Sequence, residues 1–208
     1  MKPKVSIIGS GAIGGSLARL LVRAGYDVAL ANSEGPASLG SFVEELGDRL
    51  HPMEVSGVIA YGDIIVVALH WRNLDDVPVF DVPGKVVVDV TNPYKEDGTF
   101  FDLEGEMASR KTLEHFPNGK LVKAFNTIWS KHLVENGNPT LPVEERRVIP
   151  IAGDDADAKQ LIATLIEDIG FGPLDTGTLG EGSKLQEVHG VLFNNDISAR
   201  EAKALIGS

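Results

Sequence analysis

Gly9, Gly11 and Gly14 are spaced G-x-G-x-x-G within VSIIGSGAIGGSLARLLVRAG (residues 5–25), with Ser10, Ala12 and Ile13 between them. Glycines in this pattern suit a turn that holds a dinucleotide. The first makes the turn tight, the second lets main chain approach a pyrophosphate, and the third lets the helix pack on the strand. Free N–H groups at the helix N-terminus then face the negative charge. A turn needing glycine only for its shape is the plainer alternative. The apolar strand before it, the amphipathic helix after it and a second strand in register favour dinucleotide binding.

A site built for NAD usually places Asp or Glu about 20 residues further on, against the ribose 2′-hydroxyl. Asn32 and Ser33 stand there instead. Neither repels a 2′-phosphate and both can donate to it. A helix opened by Pro36 would also point N–H groups that way. The pattern favours NADP(H) over NAD, against the alternative that NSEG is simply turn chemistry and with Glu34 as the one acid close by.

In open α/β sheets, ligands lie beyond the carboxyl ends of the strands. Three strand ends deliver unusual residues there: Ala68-Leu69-His70-Trp71, Thr91-Asn92-Pro93-Tyr94 and Ala124-Phe125-Asn126-Thr127. The amides of Asn92 and Asn126 and the Thr127 hydroxyl suit a nicotinamide carboxamide and its ribose. Trp71 or Tyr94 offers a flat apolar wall for a ring. Asparagines that only cap turns, with Trp71 merely packed, are the bland alternative. His70 has the chemistry of a general acid for a carbonyl or imine. Hydride exchange between two rings needs alignment and water exclusion more than proton transfer. His70 is therefore grouped with the cofactor contacts, and no catalytic residue is assigned.

These residues need a sheet to carry them. Apolar runs at 4–8, 27–31, 63–69, 85–90, 120–125 and 147–152 predict six strands, continuously apolar as parallel strands covered on both faces are. Ile13, Leu17, Leu20, Leu21 and Ala24 predict one helix, closed by Gly25. A second, from Pro36, should bury Leu39, Phe42, Val43 and Leu46. A third should run from a cap near Asp154, through Leu161, Leu165 and Ile169, to Gly170. Residues 92–118 read as a loop with one helix, and the stretch after Gly177 as one or two helices against the carboxyl edge of the sheet. The alternation predicts an α/β fold, a doubly wound, mostly parallel Rossmann sheet with a small C-terminal helical extension. Residues 1–127 form its cofactor-binding core. Residues 128–208 complete the sheet and a second-substrate pocket, all in one compact unit.

Composition narrows the partners. The 208 residues are 43% hydrophobic and 24% charged, with a formal net charge of −11. Nucleic acid and anionic membranes are disfavoured by that charge. With no cysteine, thiolate chemistry and sulfur-ligated metals are excluded, and the five histidines lack zinc-site spacing. The basic, apolar beginning resembles a signal peptide, but Arg19 and Arg23 lie on the helix that follows, so a cytoplasmic protein is expected.

The chain resembles the NADPH-dependent coenzyme F420 reductases and their bacterial relatives, from about Lys4 to Leu192. The likeness is strongest in IIGSGAIGGSLA, VALANSEGP, VVDVTNPY, LVKAFNTI, IAGDDADAK and LDTGTLGEG. Similar folds occur in the cytoplasmic domain of eukaryotic metalloreductases. The resemblance implies NADP on the Rossmann core, a loop after the second strand on its 2′-phosphate, and a C-terminal part holding a deazaflavin (coenzyme F420) over the nicotinamide. It also implies a homodimer. Glu34 stands where many members have arginine. GEGSK places Lys184 as β-hydroxyacid dehydrogenases place a catalytic lysine, but Val188 stands where their asparagine belongs. The leading expectation is hydride transfer between NADPH and a deazaflavin or flavin-type ring. Reduction of a small carbonyl, imine or quinone, and a non-catalytic NADP(H) sensor, are the alternatives.

Overall fold

Apolar, β-prone runs form most of the eight strands in the computed structural model, which describes residues 1–207: β1 (Val5–Ile8), β2 (Val28–Ala31), β3 (Leu50–Pro52), β4 (Ile64–Val67), β5 (Val86–Asp89), β6 (Lys120–Lys123), β7 (Val148–Gly153) and β8 (Gly172–Gly177). They make one sheet in the order β3-β2-β1-β4-β5-β6-β7-β8. All pairs are parallel except β6 with β7. Alternate residues of each strand feed opposite faces. Val5, Ile7, Leu30 and Val66 join Leu17 and Leu21 of α1 (Ala12–Arg23) and Ile162 and Leu165 of α6 (Ala156–Asp168). Ile8, Ala31, Ile65 and Val67 join Val58 and Ile59 of α3 (Val55–Tyr61). With both faces covered, most strand positions are apolar, which explains the continuous runs.

Four expectations need correction. β3 and β8 were not expected. LHP is three residues long, and GPLDTG carries two glycines, a proline and an aspartate, so only sheet pairing makes them strands. The Pro36 helix begins as a 3-10 turn (Pro36–Leu39) and continues as α2 (Gly40–Leu46). Leu39 is buried there, but Val43 turns out to solvent. The cap of α6 is Asp155 rather than Asp154. Its side chain accepts from Ala158 N–H at 2.8 Å, while Asp154 accepts from Leu179 N–H at 3.0 Å. Residues 92–118 hold one helix, α4 (Ser109–His115), as expected, and α5 (Ser130–Glu135) follows β6.

After Gly177 two helices form, α7 (Leu179–Gly182) and α8 (Ala199–Ile206). They pack against β7 and β8, with Leu192, Ala199 and Ala202 against Val148 and Leu174, and the stretch between them reaches the strand ends through Gln186 and Glu187. β7 pairs with β6 only through Val122–Gly153 and Lys123–Ala152. The earlier part of this reversed strand therefore runs on past the carboxyl end of β6.

Candidate dinucleotide site

The sheet order reverses between β1 and β4, and the glycine turn sits at that switch point. Gly9 has φ +108°, and a Cβ on it would lie 2.2 Å from the Ala68 carbonyl oxygen. A Cβ on Gly14 would lie 1.9 Å from Gly9 O and 3.0 Å from Ala68 Cβ. Those two glycines therefore clamp the turn onto the end of β4. Gly11, the N-cap of α1, differs: a Cβ there would meet nothing within 4 Å. Among the described residues, the N–H groups of Ala12, Ile13 and Gly14 donate to no protein acceptor. Unpartnered main-chain N–H groups at a helix N-terminus fit a diphosphate.

Asn32 is more of a fastener than a contact. Its Nδ2 donates to Ser10 Oγ (3.1 Å) and Ser38 Oγ (2.9 Å), and its Oδ1 accepts from Glu34 N–H (3.0 Å). One amide hydrogen thus ties the loop after β2 to the glycine turn, and the other holds that loop to its own 3-10 turn. Ser33 and Glu34 are exposed beyond it. Ser33 keeps its hydroxyl free of protein partners among the described residues.

The ends of β5 and β6 are laced together. Asn92 Nδ2 donates to Asn126 O at 2.8 Å, and Asn126 Nδ2 donates to Asn92 Oδ1 (3.1 Å) and Gln186 O (2.7 Å). In the amide orientation that satisfies its neighbours, Gln186 donates to Asn126 Oδ1 at 3.1 Å and accepts from Ala152 N–H at 3.2 Å. The Asn126 amide is then fully engaged, and it acts as a strut. Asn92 retains one N–H. Phe125, between Ala124 and Asn126, has φ +62°, a left-handed conformation that a bulky residue rarely adopts. Such backbone costs about 1–3 kcal/mol and persists only where surroundings enforce it. Phe125, Asn126 and Thr127 are buried, and among the described residues none of their N–H groups has a protein acceptor. The turn offers these donors to an electron-rich group.

At the end of β4, Ala68 and Leu69 are half-buried and His70 is exposed. Trp71 does not line the site as a wall. Its Nε1 donates to Ala108 O at 2.8 Å, and Lys111 Nζ sits 4.5 Å over its ring. Pro93 is buried beside Tyr94. Tyr94 packs tilted against Phe100, ring centroids 4.6 Å apart, and Phe100 meets His189 at 5.9 Å and Phe193 at 6.4 Å. Burial pushes the Tyr94 hydroxyl above its ordinary pKa. Sequence reasoning missed Phe100, His189 and Phe193; Phe100 lies in the loop after β5, and His189 and Phe193 lie about 90 residues on in the segment before α8. Lys184 pairs with Glu181 at 2.8 Å on the surface, the behaviour of a solvated helix residue.

Beneath these loops Asp89 and Lys123, both 0% exposed, form an ion pair at 3.1 Å. Burial alone would raise the Asp89 pKa. The Lys123 ammonium, with donors from Ser109 and Thr91, outweighs it and holds the carboxyl below its ordinary range. A separate cleft of about 550 Å³ lies over α4, lined by Trp71, Asp75, Met107, Arg110 and Glu114. Its acidic rim suits a dinucleotide poorly. Among the described residues, no three metal-ligating side chains cluster, and no helix is long and apolar enough to cross a membrane.

A solved structure of a hypothetical protein from Sinorhizobium meliloti is 31% identical, with a TM-score of 0.85, covering 95% of this chain and 96% of that one. An Arthrobacter sp. FB24 protein described as an F420-dependent NADP-reductase shares the fold at 21% identity and a TM-score of 0.69, over 99% of this chain and 90% of that one. Metalloreductase STEAP3 of Rattus norvegicus is 30% identical over 89% of this chain and 36% of its own length. The chain thus spans about a third of the length of the curated relatives it matches. Residues 4–93, from the first strand through the glycine turn to Pro93, match the family model described as NADP oxidoreductase, coenzyme F420-dependent.

Proposed function

We propose that this protein is an NADP(H)-dependent reductase that passes hydride between the nicotinamide and a flat deazaflavin or flavin-type acceptor. One observation carries the nucleotide half. Gly9 and Gly14 are sterically obligatory, while a side chain on Gly11 would meet open space and, among the described residues, the three N–H groups after it lack protein acceptors. The diphosphate would rest on Gly11–Gly14. Ser33 would donate to the 2′-phosphate, with Asn32 fixing its loop. Asn92 and the Phe125–Thr127 turn would hold the carboxamide end, while Ala68, Leu69, His70, Pro93 and Ala124 close round it. NADPH, when bound, would supply a hydride to the acceptor ring, with one proton drawn from solvent. The protein aligns the two rings and excludes water, which needs no proton-transferring side chain. The Tyr94–Phe100–Phe193 group offers apolar surface for the second ring. The family-model match over residues 4–93 supports the reading, and the Arthrobacter neighbour's description names the same pair of ligands.

Thermal shift against NADPH, NADH and coenzyme F420 tests it. A ligand at 100 times its Kd stabilises by about 2.7 kcal/mol, readily seen as a rise in Tm. NADPH is expected to shift the melt more than NADH, and NADPH oxidation to begin once a deazaflavin or flavin is added. A shift with NADH alone would overturn the cofactor assignment. Binding without turnover on any acceptor would leave a sensor in place of an enzyme.

A further inference from the structure

Asp89 and Lys123 end adjacent strands in register. Lys123 Nζ donates to Asp89 Oδ2 at 3.1 Å and to Thr91 O at 2.7 Å. Asp89 also accepts from the Ser109 hydroxyl at 2.6 Å and from Thr91 N–H at 2.9 Å. A buried ion pair is a poor way to gain stability, because desolvation consumes most of the attraction and an apolar pair would hold the strands as well. What this one adds is direction. Each of its bonds reaches a segment leaving the sheet: Thr91 precedes Asn92, and Lys123 stands two residues before the left-handed Phe125. Ser109 opens α4. The adjacent Ala108 takes Trp71 Nε1 on its carbonyl and gives its N–H to Glu187 at 3.1 Å. All three strand-end clusters and the C-terminal segment converge here.

The geometry points to the Asp89–Lys123 pair as a positioning device that keeps Asn92 and the strained Phe125–Thr127 turn aimed at the nicotinamide end of the cofactor. This rests on the site reading proposed above. Neither residue touches the cofactor cleft, so neither is catalytic. Removing one partner strands a charge in the core, so the informative variant replaces both with apolar residues of similar size, Asp89→Leu with Lys123→Met.

The readout is a ratio of affinities. Full NADPH is compared with 2′-phospho-ADP-ribose, which lacks the nicotinamide, by titration of each protein. The double variant is expected to melt cooperatively and bind the fragment as the parent does. It should lose about tenfold or more of the preference for the complete dinucleotide, as a misaimed end group would. A purely structural pair would weaken both ligands equally or neither, and either result overturns the proposal. If the double variant does not fold, Ser109→Ala decides: a lower ratio with unchanged fragment binding supports the device, and an unchanged ratio refutes it. Asn92→Ala separates the two levels. If it leaves the ratio intact, the nicotinamide lies elsewhere and the site reading fails. If it lowers the ratio while the buried-pair variants do not, only the positioning role falls.

Discussion

At the scale of single residues, the glycine turn separates what the fold requires from what the ligand requires. Gly9→Ala forces a side chain into a positive-φ position and onto the Ala68 carbonyl, 2.2 Å away. It is expected to cost several kcal/mol and lower the Tm before any ligand is added. Gly11→Val meets open space, so its melt should match the parent's while the shift with NADPH disappears. Equal melting losses in both would refute the division. Ser33→Asp should weaken NADPH by charge repulsion, about tenfold or more, and leave NADH almost unchanged; titration of both dinucleotides checks it. The glycines were legible in sequence because their geometry is local. The role of Asn126 was not, since its partner Gln186 lies 60 residues on and only the fold brings them together.

At the scale of elements, the parallel strands announced themselves as continuous apolar runs, and the ones that escaped explain why. β8 is written GPLDTG, with little intrinsic strand preference, and it exists through its ladder with β7. The left-handed Phe125 was equally invisible, because nothing in KAFNT forbids a helical or extended path there. Helix termini are set locally and can be tested locally. Asp155 caps α6 and also pairs with Lys120 at 2.8 Å. Asp155→Ala should cost about 1 kcal/mol, mostly the lost cap, since an exposed ion pair adds little. In a chain of this size that lowers the Tm by about 2–4 °C. Asp154→Ala, outside the capping position, should cost less, and the reverse order would show the cap misassigned.

At the scale of the whole molecule, acid is the condition most able to dismantle the fold. Asp89 is held below the ordinary carboxylate range despite its burial, and so is Asp168, whose burial is outweighed by bonds from Lys2 and Tyr26. A depressed carboxylate binds its proton more readily in the unfolded chain. Its stabilisation is therefore complete above the unfolded value of about 3.9 and is lost as pH falls through the lower folded value. The Tm should be level from about pH 6 to 8 and drop steeply below about pH 4, followed by circular dichroism. A Tm that rises on acidification would contradict the ion-pair geometry. The overall layout was readable from the alternation of elements, whereas the reversal at β7 was not, since strand direction leaves no mark on composition.

The two outer strands carry one more consequence. β3 is three residues long and ends in Pro52, while β8 offers Pro173 and the exposed Asp175 along its free side. Short, proline-bearing, charged borders make poor templates for a foreign strand. Copies of this molecule that meet in a crowded solution must associate through side chains on helices and loops, because the backbone ladder is closed to newcomers at either end.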